Sequence, residues 1–296
     1  MGSGIWNNVA YAAYNSAVGK SYDTITNRVI NQSYKAVRID AGLNPQNFDL
    51  RECANSEEHP NTIPVILALD VTGSMGPACN ETAEALGVIM TKLYDKFKDI
   101  EFCVMGIGDL AYDDAPVQMS QFESDVRIAE ALDKIYMEKG GGGNGFESYT
   151  AAWYMGLKRT KLDCFDKQGR KGIIITMGDE PLNPYLPKGT LNRFVRATEE
   201  RDIETTDLLK EVSRKFDVFH IAVDDPASSY RYYEGSIKRS FSILGERFKV
   251  STIDNLSKAI VDCISASISA AGSATEEAEA DMPPKNVTND KGEITW

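Results

Sequence analysis

The chain has few of the residues on which thiol-dependent and zinc sites are built. Among its 296 residues there are two histidines and five cysteines, and no two cysteines form a CxxC pair. This spacing disfavours a zinc cluster or a thioredoxin-like site. The odd number of widely spaced cysteines also disfavours a secreted disulfide framework, so we expect reduced thiols in a cytosol.

Long apolar runs are missing as well. No segment approaches the roughly 20 apolar residues that span a bilayer, and the N-terminus has no basic stretch followed by an apolar run, so we expect no signal peptide. The formal net charge of −12 disfavours binding to phosphate backbones and to anionic membranes. We therefore expect a cytoplasmic protein that binds neither nucleic acid nor membrane.

Apolar residues make up 42% of the chain, enough for a full globular core. Several uninterrupted apolar runs suit strands that are buried on both faces of a parallel sheet. These predicted strands, with a short edge strand and a short last strand, cover residues 64–69, 102–107, 116–122, 172–176, 218–223 and 248–251.

Between these runs, apolar residues recur at helical spacing. They predict helices over residues 78–97, 128–137, 205–216 and 255–270, and another that carries Ala151, Tyr154, Met155 and Leu157. Strands that alternate with helices predict an α/β fold. We expect a doubly wound, mostly parallel central sheet flanked by helices.

The composition divides the chain into three segments. Residues 1–62 are polar and rich in tyrosine and predict a partly helical N-terminal arm, residues 63–271 the α/β domain, and residues 272–296 an acidic C-terminal tail. We expect the tyrosines to pack the arm onto the domain, with packing on a neighbouring subunit as the alternative. The composition of the tail is typical of disorder.

The strongest functional signal is Asp70-Val71-Thr72-Gly73-Ser74, which directly follows the first buried strand and precedes a helix. One carboxylate and two hydroxyls occupy alternate positions, so their oxygens can converge. Gly73 and Gly76 allow the backbone to turn sharply. Oxygen ligands suit a hard cation such as Mg²⁺.

This motif, placed after Pro-Val-Ile-Leu-Ala-Leu, resembles the metal-ion-dependent adhesion site of von Willebrand factor type A domains. The family pattern is Asp-x-Ser-x-Ser, and Thr72 supplies a hydroxyl where the family has the first Ser. The resemblance implies two further ligands. Asn144 matches the Asp of a Gly-Gly-Gly-Asp loop, and Asp179 in Gly178-Asp179-Glu180-Pro181 matches the acidic residue of the third loop.

The identity of the ligand from the second loop is undecided, because an Asn in place of Asp lacks the negative charge. Its competitors are Glu147, Ser148 and Thr150. The resemblance covers residues 63–270. Within it, Gln-Phe-Glu-Ser at 121–124, the glycine-rich loop and the sequence at 178–181 resemble a cytosolic subgroup found in bacteria and their phages.

The resemblance implies binding and not catalysis. In this family the site binds a divalent cation, Mg²⁺ with Mn²⁺ as an alternative. A carboxylate of a protein partner completes the coordination shell of the cation. The predicted metal ligands are Asp70, Thr72, Ser74, Asn144 and Asp179. We therefore expect a Mg²⁺-dependent protein-recognition module, an adaptor or scaffold that grips a partner's Asp or Glu.

Two alternatives remain open. The tail could place Glu276, Glu277 or Asp281 on the metal of a neighbouring copy, which would make a self-assembling homo-oligomer. The site could instead hold Mg²⁺ for phosphoester hydrolysis with Asp70, Asp179 and Glu180.

Other enzymatic interpretations lack a suitable base or nucleophile. His59 lies in a polar linker, His220 suits a packed core position, and Ser74 has no GxSxG elbow around it. Cys79 could be a reactive thiol at a helix N-terminus, but a small buried residue is the favoured interpretation.

Overall fold

The computed structural model describes residues 4–138 and 145–280, and for residues 272–280 it describes the backbone alone. Its strands are Ser21–Asp23 (β1), Arg28–Ile30 (β2), Arg51–Cys53 (β3), Ile63–Asp70 (β4), Ile100–Ile107 (β5), Val117–Glu123 (β6), Thr160–Leu162 (β7), Gly172–Gly178 (β8), Tyr185–Leu186 (β9), Ile203–Glu204 (β10), Phe216–Val223 (β11) and Phe248–Ser251 (β12).

The α-helices lie between these strands and around them. They are Asn8–Ala17 (α1), Gly76–Glu84 (α2), Leu86–Tyr94 (α3), Arg127–Asp133 (α4), Thr150–Lys158 (α5), Asp163–Asp166 (α6), Lys188–Val195 (α7), Thr205–Val212 (α8), Tyr230–Ser240 (α9) and Leu256–Ala280 (α10). Short 3₁₀ helices cover Pro45–Asn47, Gly73–Met75, Phe241–Arg247 and Ile253–Asn255.

A six-stranded sheet forms the centre of the fold, in the order β12-β11-β8-β4-β5-β6. Neighbouring strands are parallel except for β5 and β6, which are antiparallel. The predicted mixed α/β fold with a mostly parallel central sheet is confirmed. Since Leu69 of β4 pairs with Met177 of β8, the carboxyl ends of these two strands lie side by side.

The sheet separates two hydrophobic clusters because successive side chains of a strand point to opposite faces. Leu67 and Leu69 of β4 belong to one cluster, and Ile66 and Ala68 belong to the other. Helices α2, α3 and α10 pack on the first face, and α5 and α8 on the second. Strands buried on both faces explain the uninterrupted apolar runs in the sequence.

The N-terminal segment packs on the rest of the chain through its aromatic residues. Trp6 and Tyr11 are buried with ring centroids 4.7 Å apart, and the Tyr14 hydroxyl donates to Asp133 at 2.7 Å. The amide of Met119 on the edge strand β6 donates to the carbonyl of Leu43 at 2.8 Å. This bond pairs one backbone amide of an edge strand that would otherwise be open to another strand.

Two predicted helices differ from the pattern: one is divided into two helices, and the other ends early. The helix predicted at 78–97 divides at Ala85 into α2 and α3. The helix predicted at 128–137 ends at Asp133. Its continuation is held in another conformation, because the Gln118 side chain bonds both the amide and the carbonyl of Tyr136.

The other helix predictions differ at their ends. The helix predicted at 205–216 ends at Val212, and that predicted at 255–270 runs from Leu256 to Ala280. In the described part of the chain, no helix combines the length and the apolar character that crossing a bilayer requires.

One ionisable side chain is buried at the opposite end of the sheet from the loop that follows β4. Glu101, the second residue of β5, is 1% exposed. Burial raises the pKa of its carboxyl from 4.5 to about 7, and a hydrogen bond with Cys53 and the proximity of His59 oppose this rise. The folded protein therefore holds a proton here that the unfolded chain releases.

We predict that Glu101→Gln flattens the dependence of stability on pH. Because the folded pKa is raised, the contribution of Glu101 to the free energy of unfolding is fully present below pH 4.5 and is lost as pH rises through 7. This loss should approach about 3 kcal/mol. It should be absent from the variant, whereas the decrease due to other buried carboxyls with raised pKa values, such as Asp70 and Glu180, should remain. Urea titrations across this pH range measure it, with Glu246→Gln at an exposed position as the control. Equal slopes for wild type and Glu101→Gln would contradict the prediction.

Candidate metal centre

Asp70 is the last residue of β4 and is fully buried. Its Oδ1 accepts hydrogen bonds from the amide of Thr72 at 3.0 Å and from the Thr72 hydroxyl at 2.6 Å. Its Oδ2 accepts a hydrogen bond from the hydroxyl of Tyr149 at 2.8 Å. Both oxygens are therefore held in fixed directions by side chains of two different loops.

The loop after Asp70 turns directly into a helix. Thr72 keeps an extended conformation, the 3₁₀ turn Gly73–Met75 follows, and α2 begins at Gly76. This short turn brings the half-buried Ser74 towards the neighbouring loop. A side-chain hydrogen bond from Ser74 lowers the pKa of Asp179, so the first predicted loop contacts the third.

Asp179 directly follows β8, the strand beside β4, and is fully buried. Its Oδ2 accepts the amide hydrogen of Ser229 at 2.5 Å, just before α9. A carboxylate that accepts a backbone amide is partly stabilised in its charged form. The amide of Ser229 was not predictable from the sequence, because a backbone donor leaves no residue-type signal.

Both carboxylates are costly to ionise where they lie. Burial and then the charge of Asp179 raise the pKa of Asp70 from 3.8 to about 7, against hydrogen bonds from Thr72 and Tyr149 that lower it. Burial likewise raises the pKa of Asp179. A cation between such groups would favour the charged form of both, which is the electrostatic condition for a metal site.

In the glycine-rich loop, the predicted ligand Asn144 lies outside the described residues. Among its competitors, Ser148 accepts the amide hydrogen of Leu110 at 3.1 Å, and Thr150 is bonded to the side chain of Asn183. Glu147 is buried as they are, but it differs from both because its Oε2 has no hydrogen-bond partner among the described residues.

Glu147 belongs to the same electrostatic group as the two aspartates. Its amide donates to the carbonyl of Pro181 at 3.3 Å, which attaches it to the loop after β8. Burial, and then the charges of Asp70 and Glu180, raise the pKa of Glu147 to about 11. The pKa of Glu180 is raised to about 7 by burial and by Asp179. This edge of the sheet therefore concentrates carboxyl groups.

The donors fit a hard cation better than a soft one. They are carboxylate and hydroxyl oxygens, and such ligands suit Mg²⁺ or Mn²⁺. Over residues 4–138 and 145–280, no three His, Cys, Asp or Glu side chains are grouped so that they could hold a metal. An ion at this edge would therefore need hydroxyl, amide or water oxygens besides Asp70 and Asp179.

The side chains that could act as nucleophile or base are buried and hydrogen-bonded to other groups of the protein. The buried Cys79 thiol donates to the carbonyl of Asp70 at 3.1 Å, and burial raises its pKa. His220 is fully buried, bonded through Nδ1 to the Thr176 hydroxyl at 2.8 Å and stacked on Phe241. His59 is also buried, and its Nε2 is 2.8 Å from the carbonyl of Gly4.

Four of the five predicted metal ligands lie among the described residues. Asp70, Thr72, Ser74 and Asp179 lie together at the carboxyl ends of β4 and β8. Their role as metal ligands, and that of Asn144, stay predictions. Sequence reasoning missed Tyr149, because a tyrosine at the start of an apolar helix looks like an ordinary core residue.

No family model matches the chain, and no curated protein is significantly similar to it in sequence. Among solved structures, two of the pilus adhesin SpaC from Lactobacillus rhamnosus GG are similar. The one in an open conformation has 12% identity and a TM-score of 0.46, and the other has 13% and 0.47. In both, the match covers 72% of this chain and 31% of that one. At this level the likeness carries no inference about function.

We predict that Asp70→Asn stabilises the metal-free protein and removes its response to metal. The amide keeps an acceptor for Thr72 and ends the repulsion with Asp179, so the unfolding temperature in EDTA should rise by a few degrees. Saturating Mg²⁺ should raise the unfolding temperature of the wild type and leave that of the variant unchanged. Differential scanning calorimetry measures both. A variant that Mg²⁺ stabilises as much as wild type would contradict the assignment of Asp70.

Proposed function

We propose that this chain contains a von Willebrand factor type A domain that acts as a Mg²⁺-dependent protein-recognition module, an adaptor or scaffold. The cation is held by Asp70, Thr72, Ser74 and Asp179, with a further oxygen from the loop at Asn144. A partner's Asp or Glu completes the shell. The observation that carries the proposal is the pair of buried carboxylates on neighbouring strands with hydroxyls beside them.

The strand order supports this location and a doubly wound sheet. The chain runs from β4 outward to β5 and β6, and then crosses to β8 on the other side of β4. In open α/β sheets, ligands bind outside the carboxyl ends of the strands at the point where the order reverses. Asp70 and Asp179 flank this point.

The local charge supports an obligatory cation. Without one, the ionised forms of Asp70, Asp179 and Glu180 would repel any anionic group that approached this edge of the sheet. With one, the neutral hydroxyls of Thr72 and Ser74 leave part of the cation's charge unbalanced. A carboxylate from outside is the ligand that such an ion would attract.

The proposal is for binding and not for catalysis. Both histidines are buried and engaged, and the Cys79 thiol is held in its neutral form. Metal-dependent phosphoester hydrolysis and self-assembly through the tail remain the competing hypotheses, and no contact among the described residues favours either. We propose the cytoplasm as the location, since all five cysteines are unpaired thiols.

We predict that a protein partner is captured only with both the metal and Asp70 intact. Immobilised wild type in Mg²⁺ should retain the partner, whereas wild type in EDTA and Asp70→Ala in Mg²⁺ should release it. Replacing the partner's Asp and Glu residues one at a time by Asn and Gln should identify one carboxylate whose loss abolishes binding.

Two results would count against this function. Capture of the same partner in EDTA would exclude a metal-bridged contact. Mg²⁺-dependent turnover of a phosphoester by wild type, lost in Asp70→Ala, would favour the hydrolase hypothesis instead.

A further inference from the structure

The hydroxyl of Tyr149 joins the two loops that carry the candidate aspartates. It donates to Asp70 Oδ2 at 2.8 Å and accepts the amide hydrogen of Glu180 at 3.3 Å. Tyr149 itself directly precedes α5, in the segment that follows the glycine-rich loop. A single hydroxyl, with one hydrogen and two lone pairs, therefore connects three separate parts of the edge.

The ring of Tyr149 has no room to move. It is fully buried, with the His220 ring 5.0 Å away and the Phe241 ring 5.8 Å away, centroid to centroid. On the side of β8, a Cβ on residue 178 would lie 1.9 Å from the hydroxyl oxygen, so Gly178 makes the space that this oxygen occupies. His220 is itself fixed by the hydroxyl of Thr176.

This packing fixes the orientation of the Asp70 carboxylate. Thr72 holds Oδ1 from the side of the first loop, and Tyr149 holds Oδ2 from the opposite side. Rotation of the carboxylate would break one bond or the other. Its one remaining lone pair, on Oδ2, therefore keeps one direction before any ion arrives.

We propose that Tyr149 is a positioning residue for the cation: its hydroxyl orients Asp70 and fixes the backbone at Glu180, next to Asp179. This inference rests on the proposed function, since it requires that the site bind a cation. Groups that hold a metal ligand from outside typically change metal affinity by about 10- to 100-fold when they are removed. Phenylalanine at position 149 would keep the packing and lose both hydrogen bonds.

The chain offers a matched control on α5, the helix that Tyr149 directly precedes. Tyr154 is also buried, and its hydroxyl donates to a carboxylate, Glu199 Oε1, at 2.9 Å. Tyr154 belongs to the second hydrophobic cluster, as Tyr149 does, but its partner Glu199 is not one of the candidate site residues. Tyr154→Phe therefore removes the same atom from a similar environment without touching the candidate site.

Calorimetric titration with Mn²⁺ alone tests the proposal on wild type, Tyr149→Phe, Tyr154→Phe and Asp70→Ala. We expect Tyr149→Phe to bind Mn²⁺ at least about 10-fold more weakly than wild type, Tyr154→Phe to bind within about twofold of it, and Asp70→Ala to show no binding. The metal-free unfolding temperature of each variant is measured in parallel. A merely structural role of Tyr149 would lower that temperature without changing the dissociation constant.

The outcomes distinguish the role of Tyr149 from the proposed function, which is cation binding at Asp70. If Asp70→Ala abolishes binding and Tyr149→Phe binds as wild type does, the role of Tyr149 is overturned and the site stands. If Asp70→Ala binds as wild type does, or wild type takes up no Mn²⁺, the proposed function fails and the role of Tyr149 with it.

A second measurement decides the question if Tyr149→Phe does not fold. Mn²⁺ should perturb the near-ultraviolet absorption of tyrosine in wild type and equally in Tyr154→Phe, because the partner of the Tyr149 hydroxyl changes its charge environment. Binding without such a perturbation would overturn the proposal.

Discussion

The repulsion between two buried carboxylates, Asp70 and Asp179, is the constraint on which the rest of the site depends. They lie at the ends of β4 and β8, neighbouring strands in the middle of a parallel sheet. A sheet core has little capacity to solvate charge, so the pair is stable only with protons or a cation. The raised pKa values of both groups express this cost in the metal-free protein.

The surrounding residues reduce that cost without removing it. Thr72 and Tyr149 donate to Asp70, and the amide of Ser229 donates to Asp179. Each donor is neutral, so the carboxylates are oriented while their charge remains uncompensated. Glu147 adds a further buried carboxyl close by, whose raised pKa keeps it neutral in the metal-free state. Neutral donors around uncompensated carboxylates are the arrangement that a hard cation would complete.

Continuous apolar runs made the buried strands predictable, and β12 appears over the residues that the pattern indicates, Phe248–Ser251. Helix ends were less predictable. The early end of α4 depends on hydrogen bonds with Gln118, which is distant in sequence. The same limit applies to the site. A short motif revealed Asp70, Thr72 and Ser74, but Tyr149 contacts Asp70 across 79 residues of chain, and no local pattern marks it.

Anomalous diffraction from crystals grown with Mn²⁺ tests the central claim most directly. The account predicts one strong manganese peak that is coordinated, directly or through ordered water, by oxygens from Ser74 and from at least one of Asp70 and Asp179. The coordination shell should retain a position that faces solvent. Crystals that show these carboxylates without a manganese peak, or with the peak bound elsewhere, would contradict it.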